Sequence, residues 1–208
     1  MTRKNSHCCA DALQVLLLTA GLTAAASVGA QSQFKSWPTS QAPPELHPAI
    51  SQADLIIVGM RDSVLRELND ALSRGGPGSA ISFCHLDATF VAQKVARTEG
   101  VAVGRTSDRL RNPTNAPKAW AADLVKANAG KQARTVEGFA VDLGDKVGVL
   151  RPIAERSMCA GCHGPTETLS PAVKATLADL YPVDRAVNFK EGEIRGWFWV
   201  EMPKRAKE

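Results

Sequence analysis

Cys159-Ala160-Gly161-Cys162-His163 is a C-x-x-C-H pentapeptide, the spacing at which c-type haem is attached. Two thiols three residues apart can add across the two haem vinyl groups as thioethers, and the adjoining imidazole is then placed to ligate the iron from one side. At this content of cysteine and histidine the pattern is expected by chance roughly 0.002 times. It occurs once, so one covalent haem c is implied. Three other chemistries use the same residues. A disulfide between Cys159 and Cys162 gives His163 no role. A thioredoxin-like redox pair wants a βαβ context, whereas Gly164-Pro165 follows the motif at once. A zinc site could recruit Cys84 or His85 as a fourth ligand, but structural zinc sites more often join two separated ligand pairs.

An iron held by His163 needs a ligand on its other face or an open position there. The candidates by chemistry are Cys84, His85, His47, Met60, Met158 and Met202. Met158 adjoins the motif and does not reach the opposite face, His47 lies in a proline-rich stretch, and Met60 and Met202 read as core residues. Cys84 and His85 are neighbours on one expected helix, so their side chains point about 100° apart and only one faces the haem comfortably. The apolar stripe favours Cys84. Arg105, Arg109 and Arg111 gather in one polar loop, and haem propionates seek guanidinium partners. Asn112 and Asn115 beside prolines read as turn-formers.

The elements that must position these groups can be read along the chain. Residues 1–30 form an export signal: Arg3 and Lys4 at a charged start, an apolar stretch from Leu13 to Ala26, and Val28-Gly29-Ala30 as a small-x-small cleavage site. Cleavage removes Cys8 and Cys9 and leaves Cys84, Cys159 and Cys162. Residues 31–50, with Pro38, Pro43, Pro44 and Pro48, read as a tether, and residues 51–208 as a single domain. Ser51 and Asp54 match a capping box, with Leu55, Val58, Val64, Leu65, Leu68 and Leu72 inward until Gly75-Gly76-Pro77-Gly78. A second helix over 79–98 carries Ile81, Cys84, Ala88, Val91 and Val95 on one stripe. A short strand over 101–105 follows, then a helix from Pro117 with Trp120 and Leu124 inward. A hairpin joins 135–141 to 146–153. Ser170-Pro171 opens a further helix, and a Trp- and Phe-rich strand closes the chain over 194–200. The pattern predicts an α+β fold, an antiparallel sheet of about four to five strands with flanking helices.

Several stretches together resemble one family. They are Ser79-Ala80-Ile81-Ser82-Phe83-Cys84, Gly104-Arg105-Thr106-Ser107, the run from Arg111 to Pro117 with Trp120, Arg151-Pro152-Ile153 ahead of Cys-x-x-Cys-His-Gly, the run from Tyr181 to Ala186, and Gly192-Glu193-Ile194-Arg195-Gly196. The similarity is to bacterial c-type haem domains with a PAS-like fold, long catalogued as a domain of unknown function. It implies haem bound by His163 with Cys84 as the other axial ligand. The chain departs from that pattern at Ala121, where the family tends to have Glu, and at Asn188, where it has glycine.

Composition narrows the function classes. Net charge is +4 with both signs dispersed, and five cysteines are spread over 208 residues, which argues against a nucleic-acid binder and a disulfide scaffold. No triad, nucleophile elbow or phosphate loop is present, so the expectation is a non-catalytic protein. A thiolate opposite an imidazole stabilises ferric iron and lowers the reduction potential. The expected function is a periplasmic monohaem cytochrome passing single electrons to a redox protein partner, with no membrane association after signal cleavage. The alternative is a haem-based redox or gas sensor read by a separate protein. A catalyst would need an open distal site with an acid–base residue, for which His85 is the one candidate.

Overall fold

The computed structural model describes residues 33–86 and 88–204; the expected export signal lies outside the described residues. The elements are β1 (Ser36–Pro38), α1 (His47–Leu86), α2 (Ala88–Glu99), β2 (Ala102–Thr106), α3 (Ala122–Ala127), β3 (Phe139–Asp142), β4 (Lys146–Ala154), α4 (Ala160–His163), α5 (Pro171–Leu180) and β5 (Ile194–Pro203). The strands form one sheet in the order β1-β3-β4-β5-β2, antiparallel at every step. The fold is α+β, as the pattern predicts.

The alternation of side chains along the strands explains the two layers of core. Ala140, Val147, Val149, Phe198, Val200 and Met202 point to one face and pack against α1. Val141, Leu150 and Trp197 point to the other, against Trp120, Ala121 and Val125. Trp197 and Phe198 therefore serve opposite faces of β5. Trp197 is among the largest fully buried side chains. Replacing it with alanine is expected to cost about 3–5 kcal/mol in denaturant unfolding.

The first helix departs from the sequence reading in three ways. It starts at His47, directly after a 3-10 turn over Pro44–Leu46, so Asp54 lies inside it and caps nothing. Asp54 instead takes a bidentate pair from Arg151 on β4, at 2.6 and 2.7 Å. The buried stripe is Ile50, Ala53, Ile57, Met60 and Val64, whereas Leu55 is 73% and Val58 41% exposed. Residues 55–58 are all apolar, so periodicity alone admits more than one face, and the sheet selects the one on which alanine permits close approach. The break at Gly75-Gly76 is real: Gly76 adopts φ 65°, open to glycine. No loop follows, because Pro77 resumes the helix at once.

The proline-rich segment is not a tether. Ser36–Pro38 pairs with β3 as the sheet's edge strand, Ala42 and Leu46 are buried, and residues 33–50 fall in the same compact unit as the rest. Prolines suit an edge strand and short 3-10 turns, whose missing amide bonds cost nothing in a ladder. The helix expected from Pro117 is shorter, spanning Ala122–Ala127 after a turn at Lys118. Of the run expected over 135–141, the part from Phe139 on is strand, and β3 extends one residue further to Asp142. The helix opening at Ser170 is capped as expected, its hydroxyl accepting from Val173 N at 3.2 Å. Among the described residues no helix is long and apolar enough to cross a membrane.

After the break, the second half of α1 keeps Phe83 in the sheet's core, with Cys84 packed against it. Its Ile81 joins Leu169, Val173, Leu177 and Tyr181 in a separate small core, against which Cys162 also packs. This core sets the Cys84 segment beside the C-x-x-C-H segment.

Candidate functional site

His163 ends the single turn of α4, and the chain returns to wrap it. Its Nδ1–H donates to the Ala186 carbonyl at 2.7 Å, while Phe189 N donates to the His163 carbonyl at 3.1 Å. A carbonyl can only accept, so Nδ1 carries the proton and Nε2 keeps the lone pair a metal needs. Burial, reinforced by the Arg195 and Arg111 charges, holds this imidazole well below the usual histidine range; the Ala186 bond opposes that only in part. At neutral pH it is the neutral, ligating form.

Arg111 holds the two sides of this wrap together. Its Nε donates to Asp184 at 3.0 Å and its Nη2 to the carbonyls of Cys162 at 2.6 Å and Ala186 at 3.1 Å. Arg109 donates to the carbonyls of Val187 and Asn188, pairs with Glu193 and lies 3.6 Å over the Phe189 ring. Both arginines brace the wrap around His163 while lining the cleft beside it. Asn188 has φ 62°, a conformation glycine adopts freely and asparagine tolerates, and its Oδ1 accepts from Thr166 N at 2.8 Å. This accounts for asparagine in place of the family's glycine. Asn112 is a turn-former, accepting from Thr114 N at 2.9 Å.

One cleft is lined by Cys84, Arg105, Arg111, Ile153, His163, Tyr181 and Arg195, among others. Cys84 and His163, 79 positions apart in the chain, thus face one space. Cys159 and Cys162 do not line it; they sit on the turn leading into it and both are free thiols. Burial pushes the Cys162 thiol up. His85 turns elsewhere, its ring edge-on to Tyr181 at 4.9 Å. His47 Nε2 bonds the Ala42 carbonyl, Met60 and Met202 are in the main core, and Met158 is 52% exposed. Among the described residues no three His, Cys, Asp or Glu side chains group as a metal site of their own.

The walls close tightly. Gly196 on β5 allows it: an added Cβ would lie 2.6 Å from the Thr106 carbonyl of β2. The cleft holds about 100 Å³, less than the roughly 300–1,000 Å³ of typical small-molecule sites, so a large planar ligand enters only as the walls part. Its electrostatics are positive. Among the described residues Arg105 has no hydrogen bond or ion pair, and burial lowers its pKa, opposed by Cys84 and reinforced by Arg195. A half-buried guanidinium that lines the cleft offers its donors to an anion there. Behind it, Arg195 Nε lies 3.2 Å from Glu155, whose carboxyl is buried. Burial also pushes Tyr181 up to about 12.

Sequence reasoning missed Ala186, Arg195, Glu155 and Tyr181. Ala186 acts through its carbonyl, which no residue type announces. Arg195 and Tyr181 lie in stretches that carry the family resemblance, but nothing local shows that they face Cys84.

A family model described as Tll0287-like matches residues 33–203. Among solved structures, the crystal structure of the cyanobacterial heme-protein Tll0287 is similar at 20% identity and a TM-score of 0.45, covering 80% of this chain and 100% of that one. No curated protein matches.

Proposed function

The chain belongs to the Tll0287-like family, and from that premise we propose that it is a haem protein, an exported monohaem cytochrome of c type that carries single electrons. The family bears the name of a protein described as a cyanobacterial heme-protein. The observation that carries the reading is the oriented imidazole of His163, its Nδ1–H fixed by Ala186 O and its ring in the same cleft as Cys84.

The residues present suit the group. Cys159 and Cys162 would supply the thioether sulfurs, and His163 Nε2 and the Cys84 sulfur would hold the iron. Arg105, half-buried and lining the same cleft, would meet a propionate. Haem bound there supplies a one-electron iron couple. The protein's part is to orient and to exclude. The Ala186 carbonyl fixes the His163 ring and raises its basicity, and Arg111 locks that carbonyl to the motif's own Cys162. With His163 and Cys84 both engaged, the iron would keep no position for a substrate, which favours carriage of electrons over catalysis. The periplasm is the compartment that the export signal and this attachment chemistry share.

Peroxidase staining of a denaturing gel tests the cofactor. The exported protein is expected to give a haem band at the position of the chain, because thioethers survive denaturation. The Cys159→Ala, Cys162→Ala double variant is expected to give none. A stained band that persists without both cysteines, or no band from the unaltered protein, would sink the assignment.

A further inference from the structure

Glu155 follows directly after β4, where the β4–β5 pairing shifts between Ile153 and Ala154. Such irregularities re-aim side chains, and this one sends a carboxyl inward: Glu155 is 2% exposed. Among the described residues neither of its oxygens has a hydrogen-bond partner. Its nearest cation, Arg195 Nε at 3.2 Å, is at ion-pair distance without hydrogen-bond geometry. A buried pair kept for stability is hydrogen-bonded on both sides. Glu193, just before β5, shows that arrangement, one oxygen paired with Arg109 and the other accepting from Lys190 N at 2.9 Å. Glu155 is the exception, and an unsatisfied buried carboxyl needs a reason.

Arg195 supplies one. It lines the cleft that holds Cys84 and His163 and touches Glu155 behind it. A change of charge in the cleft is therefore felt at Glu155 across one guanidinium. The other charges acting on Glu155 are Glu193, Arg111 and Arg109, each of them held by hydrogen bonds to other groups. Burial pushes the Glu155 carboxyl up to about 7, with Arg195 opposing and Glu193 adding. It is thus half-protonated near neutrality, where a small change of field moves its proton.

We propose that Glu155 takes up one proton when the iron site gains one electron, so that electron carriage by this protein is proton-coupled. The inference rests on the haem reading above. In the step, a one-electron donor protein delivers an electron and the iron goes from ferric to ferrous. One proton from water adds to a Glu155 oxygen and converts carboxylate to carboxylic acid. No bond in the chain breaks, the charge of the site is unchanged, and oxidation releases both particles.

The test is the reduction potential of the holoprotein as a function of pH around 7, in the wild type and in Glu155→Gln. For a one-electron couple, a tenfold change in proton concentration converts to at most 59 mV. The wild type is expected to approach this slope, its potential falling as pH rises, and Glu155→Gln to be flat. A merely structural Glu155 would behave differently. Its carboxyl, raised from 4.5 to about 7, is protonated in the folded chain and ionised in the unfolded one between those values. Stability then falls as pH rises through that interval, and the potential does not follow. A haem-loaded Glu155→Gln that keeps the wild-type slope overturns the proposal and leaves the haem assignment standing. Absence of covalent haem from the wild type overturns both. If the variant does not fold, reduced-minus-oxidised infrared spectra of the wild type decide. A protonated carboxyl band that appears on reduction and shifts with isotope-labelled glutamate is expected, and its absence overturns the proposal.

Discussion

Cys84→Ala is expected to convert a six-coordinate low-spin ferric spectrum into a five-coordinate high-spin one and to raise the reduction potential. A thiolate brings negative charge to the iron and favours the ferric state, so its loss favours the ferrous state. His85→Ala is expected to leave the spectrum unchanged, because His85 packs edge-on against Tyr181 outside the cleft that Cys84 lines. Absorption and electron paramagnetic resonance spectra read both variants directly. If His85→Ala removes the sixth ligand and Cys84→Ala does not, the axial assignment is wrong. The same preparations address the sensor alternative. Ferrous protein that binds carbon monoxide slowly or not at all behaves as a carrier, whereas rapid binding means that Cys84 leaves on reduction.

Arg111→Ala is expected to destabilise the folded protein by about 3–5 kcal/mol, the cost of leaving a buried ionic partner uncompensated. Arg111 and Asp184 are 10% and 11% exposed, and truncation also strips a donor from the Cys162 and Ala186 carbonyls. Ala186 is the acceptor that orients His163, so haem incorporation is expected to fall along with stability. Arg111→Lys is expected to rescue only part of the loss, since a point charge cannot reproduce a fork that reaches one carboxylate and two carbonyls. Denaturant midpoints and haem content per chain measure the two effects. An arginine serving a propionate alone would leave the three protein contacts out of the balance, and its lysine variant would be nearly neutral.

Local features were legible where local chemistry dictates them. The Ser170 cap, the hairpin between β3 and β4 and the break at Gly75-Gly76 each need only a few adjacent residues of the right type, and each is found. The inward face of α1 was not legible. Four consecutive apolar residues at 55–58 satisfy several registers, and the choice among them is made by a sheet formed by strands remote in sequence. Residues 33–50 misled for a related reason. Their composition forbids a self-sufficient core, but an edge strand borrows its partner from β3.

By itself the sequence determined the chemistry available: two thiols and an imidazole at haem-attachment spacing, and one further cysteine on a helix. Those are properties of residue type and short separation, which survive in any conformation. The tertiary structure alone decided which groups meet. It put Cys84 and His163 on one cleft, fixed the imidazole tautomer through a backbone carbonyl, set Arg105 in that cleft and buried Glu155 behind Arg195. Those facts depend on distance and desolvation between residues dozens of positions apart, and linear spacing does not encode them.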